Sequence, residues 1–144
     1  VDTDAIYDLA SVTKVASVVP ALMVLVNRGV FDLDATLGDY LPEFNKTDKG
    51  DLPWRRILAH DARLQSWIPY WKNTLKKNGK FKSRTFKQTR SKRYPVEVTE
   101  DLYLHRNYRT KMIKAIRKSP LNADEGYVYS GLAFYLLPGI IEEI

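Results

Sequence analysis

The apolar run from Val15 to Val26, headed by Ser11-Val-Thr-Lys14, is the feature that most limits what this chain can fold into. Val15, Val18, Val19, Leu22 and Val26 recur at helical spacing, which predicts one helix with a single buried stripe. Pro20 has no amide to offer the Ala16 carbonyl, so a kink is expected there, and Gly29 is placed to end the helix as a C-cap. Residues three apart share a helix face. The Ser11 hydroxyl and the Lys14 amine are therefore expected together at the N-terminal end of this helix.

A serine hydroxyl is a weak nucleophile unless a neighbouring base takes its proton, and an amine is such a base only when neutral. Unpaired backbone N–H groups at a helix start can also stabilise an oxyanion, so the Ser11 amide is a candidate donor for half of an oxyanion hole. S-x-x-K is the arrangement of acyl-transferring serine enzymes. As a four-residue pattern it also recurs by chance, and its plain alternative is a serine near a helix start with a lysine reaching out to solvent.

Longer segments extend the pattern. Tyr7-Asp-Leu-Ala-Ser-Val-Thr-Lys14 is followed by Asn27-Arg-Gly-Val-Phe-Asp-Leu-Asp34, Leu37-Gly-Asp-Tyr-Leu-Pro42 and Leu52-Pro-Trp-Arg-Arg-Ile-Leu-Ala-His60, and later by Tyr129-Ser130-Gly131. In this order they resemble the serine β-lactamase and penicillin-binding-protein-like family, with the closest likeness to its class C and esterase-like branch. The resemblance implies Ser11 as nucleophile, Lys14 as base and Tyr129 as a second general acid/base. It further implies a substrate, small molecule, peptide or ester, that carries an acyl group, and a periplasmic or secreted location. Read without its neighbours, Tyr129 would be a packing residue with a satisfied hydroxyl.

Two departures and one absence stand out. The family's second motif ends in Asn or sometimes Asp; Gly131 takes that substrate-binding position without a side chain. His60-Asp-Ala-Arg-Leu64 replaces the commoner His-Thr-Ser-Gly-Leu. The third motif, Lys-Thr-Gly or His-x-Gly on a β-strand, does not occur in the 144 residues. The resemblance therefore implies a mainly α unit, the helical subdomain of the fold without its antiparallel sheet. It is expected as one domain over 1–144, cut at both ends, with the missing sheet segments of the same polypeptide as its partner.

Charge is segregated. Net charge is −5 over residues 1–45, +15 over 46–118 and −4 over 119–144, and Lys72 to Arg93 holds ten basic residues and no acidic one. Such a run with Phe81 and Phe86 interleaved can bind a polyanion or nucleic acid. It is more often a solvated face, so residues 72–95 are expected as a basic surface loop or insertion, and nucleic acid is not the expected partner. Trp67, Tyr70 and Trp71 before it either anchor the loop to the core or wall the substrate cleft.

The remaining signals are local. There is no cysteine, which removes disulfides and thiolate metal sites. His60 and His105 have no metal-ligand spacing, and no phosphate-binding glycine loop occurs, so neither metal nor cofactor is expected. His60 reads as a structural hydrogen-bonding residue at a helix end. The apolar run is too short to span a bilayer. Further helices are expected up to His60 with Asp51 as cap, from Tyr108 to Lys118 with Asn107 as N-cap, and from Ser130 with a break at Pro138. Three functions are open: a serine hydrolase acting through an acyl-enzyme, a non-catalytic homologue or excised helical subdomain, and a basic polyanion-binding module.

Overall fold

The computed structural model describes residues 2–144. Ser11 lies in a turn, and Lys14–Val18 follow as a π-helical turn that runs into helix α1, Val19–Asn27. The wide turn has a local cause. Pro20 cannot close an α-helical bond to Ala16, and the Val19 amide reaches back five residues to the Lys14 carbonyl. At the other end Gly29 takes φ +68°, with Gly29 N–H on Val26 O and Val30 N–H on Leu25 O. That is a Schellman ending, in which glycine enters the left-handed region without a Cβ penalty.

Short helices follow. α2, Leu37–Tyr40, starts at Thr36, whose hydroxyl accepts from the Asp39 amide while the Asp39 carboxylate accepts from the Thr36 amide. α3, Trp54–Leu58, is preceded by Pro53, and no side chain caps it; the role expected for Asp51 is not realised. The core gathers around these turns. Phe31 stacks on Tyr40 with ring centroids 4.8 Å apart and meets Trp54 edge-on at 5.6 Å. Phe44, Leu37 and Ile57 close over them, and Ile116, Leu132, Leu137 and Ile140 cover the other side. Lys49 is buried too, its amine donating to the Ser119 carbonyl and pairing with Asp48, which ties the turn after Phe44 to the end of the next long helix.

The expectation of a mainly helical unit without a sheet is overturned. Strands β1 (Phe86–Lys87), β2 (Val96–Thr99) and β3 (Leu102–Leu104) form an antiparallel sheet in the order β1-β3-β2, with 38% helix and 10% strand overall. Phe86 and Val96 both pair with Leu104, and the β2–β3 register shifts between Glu97 and Thr99. The first strand arises inside the basic stretch. Its side chains stay mostly in solvent, so no apolar alternation marks it; the backbone pairing alone makes the strand. Every residue of β2 is exposed, which leaves Val96-Glu-Val-Thr too little burial to stand out as a strand.

α4 covers Tyr108–Lys118, the range expected, although Asn107 makes no side-chain cap bond. The final helix is divided: a tight turn at Ala133–Tyr135 precedes α5, Leu137–Glu143, with Pro138 in its first turn, where a missing amide costs nothing. One expectation about the first helix is corrected. Leu22 is buried, but Val15 is 66% and Val19 37% exposed, because no described element packs on that side of the helix.

Candidate active site

The turn that carries Ser11 is strained. Ala10 occupies φ +42°, a left-handed conformation unfavourable for a residue with a Cβ, and its amide is held by the Asp8 carboxylate at 2.8 Å. The sequence offered only a weak sign of this, an aspartate two residues before the strained position. The turn delivers Ser11 one residue before the helical segment and leaves its amide without a partner among the described residues. Lys14 is the first residue of the π-helical turn, and its Nζ lies 3.1 Å from Ser11 Oγ.

Tyr129 arrives from the far end of the chain. Lys14 Nζ sits 5.4 Å from the centroid of its ring and 5.2 Å from that of Phe134, so the amine is seated between two aromatic faces. The hydrogen-bonding pull of Lys14, and then of Ser11, draws the Tyr129 phenol below its ordinary value. Only the Lys14–Ser11 pair closes to full hydrogen-bond distance. Ser11, Lys14 and Tyr129 thus lie together.

What holds the Tyr129 segment in place is a second chain segment, residues 60–66. His60 O accepts from the Val128 amide at 2.9 Å and His60 Nδ1 from the Ser130 amide at 3.1 Å. Gln65 O accepts from the Ser130 hydroxyl at 2.7 Å and Ser66 O from the Gly131 amide at 3.1 Å. His60 itself adopts φ +59°, and its ring leans on Tyr129 with centroids 4.6 Å apart. Burial, and then the nearby Lys14, hold the imidazole below its ordinary value, in the neutral form able to accept at Nδ1. His60 is therefore more than a helix-end residue: it is the clamp that sets Tyr129.

Gly131 stands two residues beyond Tyr129 and does not reach the Ser11–Lys14 pair. A Cβ built there meets nothing within 4 Å, so a side chain at this position would stand in open space. A depression of about 540 Å³ lies along α1 between Val19, Met23 and Leu58 and contains none of the three clustered residues. Among the described residues no group of carboxylates and histidines could hold a metal ion, and no helix is long and apolar enough to cross a membrane.

The chain is 29% identical over 151 aligned positions to an N-acetylmuramyl-L-alanine amidase of Bacillus subtilis (strain 168), a match that covers 99% of this chain and 28% of the relative. The chain thus spans just over a quarter of that protein's length. No solved structure matches it significantly. The family model described as Beta-lactamase matches residues 1–144, and the chain belongs to the Beta-lactamase family.

Proposed function

We propose that this chain carries the nucleophile and proton-transfer groups of a serine hydrolase that opens an amide or ester through an acyl-enzyme. The observation that supports this most directly is the 3.1 Å contact between Lys14 Nζ and Ser11 Oγ beneath the Tyr129 ring. In the resting contact the amine donates to the hydroxyl oxygen. Reaction needs the reverse sense: neutral Lys14 accepts the Ser11 proton as Oγ bonds to the substrate carbonyl carbon. The Ser11 amide, without a partner among the described residues, is one donor to the resulting oxyanion. Tyr129 passes a proton to the leaving nitrogen or oxygen as its bond to the carbonyl carbon breaks, and water then hydrolyses the acyl-Ser11 ester. An amide, the bond class in the name of the Bacillus subtilis relative, is one candidate for this site.

Gly131 offers no side chain to hold substrate or to steady the amine, so orientation falls to the surrounding walls. The test is covalent. A serine-directed fluorophosphonate, applied to the protein that carries this chain, should add one adduct at Ser11, located by peptide mass spectrometry, and Ser11→Ala should abolish it. Labelling elsewhere, or an unmodified Ser11, would leave a non-catalytic homologue as the correct reading.

A further inference from the structure

The basic middle of the chain takes no part in the site above. Residues 72–118 hold sixteen Lys and Arg against three acidic side chains, and none of the sixteen is in an ion pair among the described residues. The fold gathers part of this charge into two clefts. Lys82, Arg84 and Lys111 line the first, about 350 Å³ between the loop before β1 and α4. Lys92, Arg93 and Arg106 line the second, about 410 Å³, and no carboxylate lines either. The clefts adjoin. Thr85 belongs to the first and His105 to the second, and the Thr85 carbonyl accepts from the His105 amide at 2.9 Å. Burial, and then the charges of Arg93, Lys111 and Arg106, hold the His105 imidazole below its ordinary value, so Lys111 of the first cleft acts electrostatically on the second. Two of the six cations rest on neutral groups: Lys82 Nζ donates to the Asn73 carbonyl at 2.9 Å and Arg93 Nε to His105 Nε2 at 3.1 Å. That orients them and leaves their charge uncompensated. Clefts lined by one sign of charge focus the field on an incoming counter-ion.

We infer that the two clefts form one track for a linear phosphate polymer without bases, whose successive anionic groups meet these Lys and Arg side chains in turn. Shape and lining choose the partner. A concave lining suits a thin chain that lies along it, whereas a flat bilayer would meet the turn of Lys76, Lys77 and Lys80, closed by the Leu75–Phe81 bridge, instead. A single-stranded nucleic acid stacks its bases on successive aromatic side chains. No Phe, Tyr or Trp lines the second cleft, and Phe81 and Phe86 lean on each other with centroids 4.8 Å apart and line neither. None of the track residues belongs to the Ser11–Lys14–Tyr129 cluster, so the inference stands apart from the hydrolase reading.

The test titrates the protein that carries this chain with linear inorganic polyphosphate, followed by calorimetry, beside orthophosphate, oligo(dT) with the same number of phosphates, and phosphatidylglycerol vesicles. Polyphosphate should bind more tightly than all three, and its affinity should fall steeply as salt rises. Lys82→Gln/Arg84→Gln/Lys111→Gln and Lys92→Gln/Arg93→Gln/Arg106→Gln should each weaken it by at least about tenfold and lower the salt slope by roughly two to three. Lys76→Gln/Lys77→Gln/Lys80→Gln removes as much charge from outside the clefts and should cost far less. Urea unfolding checks that each variant folds. Lys111→Gln alone, at an exposed position on α4, should still weaken binding where a triple variant does not fold. No polyphosphate binding at low salt, equal losses in the cleft and turn variants, or binding of orthophosphate, oligo(dT) or the vesicles as tight as that of polyphosphate would overturn the inference.

Discussion

His60→Ala removes the acceptor that holds the Tyr129 segment. Loss of Nδ1 strands the amide of Ser130, a residue 3% exposed, at about 1–3 kcal/mol. The left-handed φ +59° is borne by histidine and alanine alike, so it adds little to the difference. The variant should therefore be destabilised by about 1–3 kcal/mol. His60→Asn isolates the cause, because asparagine tolerates the left-handed region and its Oδ1 can take the acceptor place of Nδ1. It should recover most of the loss. Urea unfolding followed by tryptophan fluorescence reports this, since Trp54 is fully buried. The pH dependence gives a second check. Because the fold holds the His60 imidazole below its ordinary value, neutral His60 contributes stability that is complete above the unfolded value of about 6.5 and lost as pH falls toward the folded one. Wild-type protein should therefore lose more stability between about pH 7 and pH 5 than His60→Asn, and titration of His105 cancels in the comparison. If both variants lose the same amount, if alanine costs under about 1 kcal/mol, or if the pH slopes coincide, the clamp argument is refuted.

Three further outcomes are expected. Lys14→Ala should slow acylation of Ser11 by about 10²–10⁴-fold, measured by time-resolved mass spectrometry, and an unchanged rate would take Lys14 out of the mechanism. Gly50→Ala should destabilise by about 1–3 kcal/mol in urea unfolding, because the added Cβ would sit 2.8 Å from the Phe44 carbonyl oxygen and 3.0 Å from Asn45 Cα, both backbone; a neutral result would mean that the turn relaxes freely. Replacing Lys76, Lys77, Lys80 and Arg84 together with Gln should leave the unfolding midpoint nearly unchanged, since all four are exposed and none is in an ion pair among the described residues. A large loss would show that the basic stretch is structural.

The order of the family's segments, the Ser11–Lys14 pairing, the Gly29 cap and the range of α4 were legible in the sequence, because each depends on neighbours one or two helical turns away. Spacing puts a hydroxyl and an amine on one face whatever the rest of the chain does. The Pro20 and Pro138 interruptions were legible for the same reason: a missing amide is a property of one residue. The sheet was not. β1 and β2 draw on pairing with β3 rather than on burial, and Lys and Arg around Phe86 hide any alternation. The exposure of Val15 and Val19 was equally hidden, since a periodic stripe shows which face is apolar and not whether anything covers it. The clamp on Tyr129 lay furthest out of reach. His60 and Ser130 are seventy residues apart in the chain, and only the tertiary fold brings the imidazole Nδ1 to that amide and Tyr129 to Lys14. The sequence alone determined which groups could do chemistry; their distances were decided by contacts between residues far apart in the chain, which no local pattern encodes.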